Sequence, residues 1–81
     1  MVYEWDENKR QINLKKHGFD FVIAYNIYES DEKLTIPSQY KNEQRWIDVA
    51  PVGKESFTGA MVYTYRENRV RVISLRKANR K

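Results

Sequence analysis

Five arginines, a lysine–histidine pair and a set of aromatics are the side chains of this sequence suited to chemistry. Arg45, Arg66, Arg69, Arg71 and Arg76 fall on predicted strands or strand ends. A guanidinium donates two parallel hydrogen bonds from a planar fork, which is the arrangement a phosphate accepts. Tyr63, Tyr65, Trp5 and Trp46 either stack bases or fill the core of a short chain. Such a set permits RNA cleavage without a metal. The 2′-hydroxyl of the RNA attacks the phosphate. The protein then supplies a base for that hydroxyl, an acid for the leaving 5′-oxygen and cations for the accumulating charge. Histidine is the side-chain type that ordinarily titrates near neutral pH, and His17 is the one histidine. A two-histidine mechanism is excluded, so either Lys16, a tyrosine or a glutamate is its partner, or cleavage relies on orientation and charge alone. The alternative for His17 is structural, a cation at the end of a helix.

Other chemistries lack their residues. There is no cysteine and the acids are scattered singly, so neither a zinc site nor a disulfide scaffold is expected. No nucleophile-elbow glycine pattern surrounds Ser30, Ser38, Ser56 or Ser74. Three glycines in the whole chain make no phosphate-cradling loop.

The elements that position these residues read as an α+β chain. Val2–Trp5 is a short strand. Asp6 is a helix N-cap, and a helix over about residues 7–17 ends in Lys15, Lys16, His17 and Gly18, with Ile12 as its apolar anchor. Asp20 caps a second helix, about 21–28, whose Phe21, Ala24, Ile27 and Tyr28 share a face; Phe19 is a candidate staple. Leu34–Ile36 is a strand ended by Pro37, and Ser38 to Glu43 is a polar loop. Arg45–Ala50 alternates, Pro51 and Gly53 close it, and Lys54-Glu55-Ser56 is a turn. Phe57–Arg66 is the longest β-rich run, and Glu67-Asn68 turns it into Arg69–Leu75. A regular last strand puts Arg71 on one side with Ile73 and Leu75, and Arg76 on the other. The residues from Lys77 onward either start a helix or fray.

A chain of 81 residues fits one domain and is too short for a Rossmann-sized cofactor fold. Its hydrophobic share, 41%, supports a small core of modest stability. The longest apolar run is far short of a membrane helix, and the opening residues are charged, so a cytoplasmic protein is expected. The net charge of +4 is unevenly placed. Residues 1–67 carry nine Lys or Arg against eleven Asp or Glu, whereas residues 68–81 carry six Lys or Arg and no acid. The basic block suits a polyanion or an acidic partner, or is a solvated strand end.

Glu4-Trp5-Asp6, Lys9, Asn13, Lys16-His17-Gly18 and Phe21 with Ala24 resemble the opening of the BrnT family of toxins. Arg45-Trp46, Val62-Tyr63-Thr64, Arg66 and the run Arg71 to Ala78 resemble its remainder. The likeness covers nearly the whole chain, residues 1–81 as a single toxin domain. It implies a RelE-like fold; the residues themselves read as two N-terminal helices packed on one face of an antiparallel meander, a sheet of about four strands. The likeness also implies a ribonuclease toxin of a type II toxin–antitoxin pair, neutralised by a BrnA-type antitoxin, with DNA reached only through that antitoxin. No cofactor, metal or membrane is expected. By position, the implied functional residues are Lys16, His17, Arg45, Arg66, Arg71 and Arg76. The arginines hold the phosphate and its transition state, and Lys16 or His17 moves a proton. Leu75 departs from the alanine frequent in the family. Relatives commonly run on into a helical tail, so the resemblance implies a domain ending where that helix would begin. A non-catalytic nucleic-acid-binding or antitoxin-docking module explains the basic block equally well.

Overall fold

Alternation between Leu34 and Leu75 does build an antiparallel meander in the computed structural model, which describes residues 1–52 and 57–78. The elements are β1 (Tyr3–Trp5), α1 (Glu7–His17), a 3₁₀ turn (Phe21–Ile23), α2 (Ala24–Tyr28), β2 (Leu34–Tyr40), β3 (Glu43–Pro51), β4 (Thr58–Arg66) and β5 (Arg69–Lys77). The sheet order is β1-β5-β4-β3-β2. The expected turn at Lys54-Glu55-Ser56 with Gly53, and the chain end at Asn79-Arg80-Lys81, lie outside the described residues. Among the described residues, no helix is long and apolar enough to cross a membrane.

The expected RelE-like arrangement, two helices on about four antiparallel strands, is corrected. The sheet is mixed and has five strands, because β1 pairs parallel to β5 through Tyr3–Val70, Glu4–Arg71 and Trp5–Val72. A three-residue strand with a distant parallel partner leaves no local pattern to read. Both helices are short. The second is a 3₁₀ turn running into only five α-helical residues. The polar stretch expected as a loop is strand instead: Ser38, Gln39 and Tyr40 pair with Arg45, Gln44 and Glu43. Pro37 does not end β2, because β2 is an edge strand and a proline is tolerated where no inner ladder needs its N–H.

The caps form as the sequence indicates. The Asp6 side chain accepts from the N–H groups of Asn8 and Lys9. Gly18 adopts φ +79° and closes α1 by donating to the Leu14 carbonyl, a conformation that favours glycine. Ile12 is not the anchor of α1; it is 62% exposed. Asn13 does that work from a buried position. Its Nδ2 donates to the carbonyls of Leu75 (2.8 Å) and Phe19 (3.1 Å), and its Oδ1 accepts from the Leu75 N–H (3.1 Å). The amide thus closes the edge of β5 where β1 has ended. Arg10 adds a two-pronged bond to Asp20 (2.7 and 2.9 Å), tying α1 to the next cap. Phe19 stacks on Phe57, with centroids 5.1 Å apart.

Phe21, Ala24 and Ile27 bury their faces on Ala50, Val52, Met61, Tyr63, Val70, Val72 and Leu75. Gly59 is needed there, since a Cβ would meet Ile27 Cδ1 at 2.7 Å and Val52 Cγ2 at 2.9 Å. A buried carboxylate shares this face. Asp48 is fully buried, yet accepts from Lys33 Nζ (2.8 Å), Thr35 Oγ1 (2.7 Å) and Tyr63 Oη (3.0 Å). A pairing irregularity at Val62/Tyr63 sets Ser74 opposite Val62 but Val72 opposite Tyr63, leaving Ile73 as an extra residue. This bulge overturns the regular last strand. Leu75 turns into the core beside Val70 and Val72, and Arg76 comes out onto the face that carries Arg71.

Candidate nucleic-acid interface

Side chains directly opposite one another in a sheet share a face, so the register defines rows across the side turned away from α2. Leu34, Val49, Ala60 and Arg76 form one row, and Ile36, Ile47, Val62 and Ser74 the next. Beyond them, Ser38 pairs with Arg45, and Thr64 pairs with Arg71, which pairs with Glu4. In the last row Tyr40 pairs with Glu43, and Arg66 with Arg69. Two apolar rows therefore lie beside two charged rows on one open face.

The charged rows enclose a cavity of about 140 Å³ lined by Asp6, Lys9, Glu43, Arg45, Thr64, Arg66, Arg71, Val72 and Ile73. Three of the six sequence-indicated residues meet there. Arg45 Nε donates to Glu43 Oε1 (2.8 Å), and its guanidinium lies 4.4 Å from the centroid of the Tyr40 ring. Arg66 approaches Glu43 Oε2 at 3.7 Å. Arg71 donates to Glu4 Oε2 (3.0 Å), while Arg69 approaches Oε1 at 3.4 Å. The hydrogen bond from Arg45 holds the Glu43 carboxyl below the usual carboxylate range, against an opposing effect of desolvation, with Arg66 adding to it. Arg71 does the same for Glu4.

Lys16 and His17 line a second depression of about 180 Å³ with Lys9, Ile12, Asn13, Ile73 and Ser74. It shares Lys9 and Ile73 with the first, so the two adjoin along the seam of α1 and β5. Arg76 lines neither. It sits two rows from Arg71, a separation of roughly 13 Å at the ordinary rise of a strand. The aromatics go elsewhere: Trp46, Tyr63, Tyr65 and Tyr28 cluster on the α2 side of the sheet, and Trp5 packs on Phe21. Burial and a hydrogen bond with Tyr65 push the Tyr28 hydroxyl up to about 12.

Lys9, Glu43 and Glu4 line or flank the site but are absent from the functional set that the sequence indicates, Lys9 and Glu4 entering only as part of the family likeness. Lys9 had a signal, since it shares a helix face with Asn13 and Lys16 at four- and seven-residue spacing. Glu43 had one too: it shares the parity of Arg45 once the strand begins at residue 43. A family model described as ribonuclease toxin, BrnT, of type II toxin–antitoxin system matches residues 5–81 of the chain. A search of curated proteins gave no match.

Proposed function

Since the chain belongs to the BrnT family of ribonuclease toxins of type II toxin–antitoxin systems, we propose that it cleaves RNA without a metal on the open face of its sheet. The meeting of Arg45, Arg66 and Arg71 with Lys9 in one cavity carries this reading. Four cations around one cavity offset the charge that develops when a 2′-hydroxyl adds to phosphorus. A nucleophile from the protein is unnecessary, because the substrate brings its own.

Lys16 and His17, in the depression that adjoins this cavity through Lys9 and Ile73, supply the proton for the leaving 5′-oxygen. Arg76 holds a phosphate further along, so its loss weakens binding more than turnover. An antitoxin of the BrnA type silences the protein by covering the same charged rows. DNA is reached only through that antitoxin, the chain acts as one toxin domain, and its setting is the cytoplasm. The experiment is incubation of the purified protein with single-stranded RNA in excess chelator. Fragments with cyclic-phosphate and 5′-hydroxyl ends support the reading. RNA that is retarded on a gel but intact supports a binding module instead.

A further inference from the structure

We propose that Glu43 is the base that takes the proton from the attacking 2′-hydroxyl. The inference rests on the ribonuclease reading above and adds to it a catalytic residue on the phosphate cavity itself. In-line attack puts the 2′- and 5′-oxygens on opposite sides of phosphorus, so the proton acceptor belongs across the phosphate cavity from Lys16 and His17, which line the adjoining depression on the α1 side. Among the described residues four carboxylates stand near the arginines or their cavity, of which Glu67 approaches only Arg69 (3.5 Å) and lies outside the cavity. Asp6 lines the cavity, but from the α1 side: its Oδ1 accepts the N–H groups that open α1 and, among the described residues, no arginine pairs with it. Glu4 bridges Arg69 and Arg71 and does not line the cavity. Glu43 lines it, bonds through Oε1 to Arg45, and leaves Oε2 with only the 3.7 Å approach of Arg66 among the described residues.

Oε2 therefore keeps room to accept a hydrogen bond, while the bond from Arg45 to Oε1 fixes the orientation of the carboxylate. The bond from Arg45 Nε, with the Tyr40 ring against the same guanidinium, keeps acid and arginine in one geometry. In the step, the 2′-oxygen forms a bond to phosphorus and its proton passes to Glu43. The bond from phosphorus to the 5′-oxygen breaks, and that oxygen takes a proton from Lys16 or His17. The products are a 2′,3′-cyclic phosphate and a 5′-alcohol, and solvent returns the protons. Glu43 is ionised before substrate arrives, because Arg45 depresses its pKa. A phosphate seated on Arg45 and Arg66 offsets that depression and makes the carboxylate a stronger base when it is needed. The groups facing Glu43 are Arg45 on its own strand, Tyr40 from β2 and Arg66 from β4, with Arg71, Asp6 and Lys9 across the cavity.

The test compares wild type, Glu43→Gln and Glu43→Asp on one single-stranded oligoribonucleotide, with binding read on its uncleavable 2′-O-methyl counterpart. Glu43→Gln keeps an oxygen for Arg45 but accepts no proton. Its cleavage should fall by about 100-fold or more, with binding unchanged or tighter. The acid-side decline of the wild-type pH–rate profile should vanish in Glu43→Gln and persist, at a lower rate, in Glu43→Asp. Should Glu43→Gln fail to fold, the Asp variant decides: a retained acid limb supports the base and its absence overturns it. A Gln variant that cleaves at the wild-type rate, or that loses binding of the 2′-O-methyl probe, overturns it too. In either case the wild-type cleavage leaves the ribonuclease reading standing. A wild-type protein that cuts no RNA brings down both.

Discussion

At the scale of the residue, the proposed site is held by mutual restraint of charge. Glu4 holds Arg71 and Glu43 holds Arg45, so both guanidiniums are oriented before an anion arrives. Oriented donors reorganise less during reaction, which is where electrostatic catalysis gains its strength. The same pairs make the fold sensitive to acid. Glu4, Glu7, Asp20 and Glu43 all titrate below their ordinary range because cations or amide donors hold the charged form. Lowered folded values give stability that is complete above the unfolded pKa and lost as pH falls through the folded one. Tyr3, Tyr28 and Tyr63 are raised, chiefly by burial, so their contribution is lost at high pH. Thermal melts should thus show a plateau from about pH 5 to about pH 10, with the midpoint falling on both sides. A midpoint that stays level down to about pH 3 would contradict the ion-pair assignment.

At the scale of the element, the seam of α1 and β5 is decisive, and a single amide makes it. Asn13 takes the place of a neighbouring strand beside Leu75. Asn13→Ala should lower unfolding free energy by about 2–3 kcal/mol, since it orphans buried backbone groups. Chemical denaturation checks this, and a variant as stable as wild type would show the bonds to be dispensable. The sequence carried part of this level. Asp6, Gly18 and the Glu67-Asn68 turn were legible because caps and two-residue turns are chosen by local conformation, here φ +50° and +66° at the turn. Helical spacing exposed Phe21, Ala24 and Ile27 in the same way. The parallel β1–β5 pairing was not legible, being a contact across most of the chain. Nor was the bulge at Ile73, which reversed the sides of Leu75 and Arg76, because one extra residue leaves no mark on composition. Reading Ser38 to Glu43 as a loop hid the start of β3, and Glu43 with it.

At the scale of the whole molecule, one face of the sheet is spent on the core and the other is divided between an apolar half and a charged half. The basic block seen at the end of the sequence is only part of that charge. Arg45 comes from β3 and Lys9 from α1, and folding brings both to Arg66 and Arg71. Charge geography along the chain therefore suited a polyanion or an acidic partner but did not reveal the composition of the site. If RNA and antitoxin share the charged rows, the two compete. Antitoxin should displace a 2′-O-methyl RNA from the protein in a fluorescence titration, and a stable ternary complex would place the antitoxin elsewhere. The central claim is that Arg45, Arg66 and Arg71 form the centre of a metal-free ribonuclease. It is tested most directly by cleavage rates of single-stranded RNA in excess chelator for wild type and for single alanine variants. Wild type should cleave, each of the three variants should lose about 100-fold or more, and Arg76→Ala should mainly weaken binding. Intact RNA with wild type, or full rates in all three cavity variants, would contradict it.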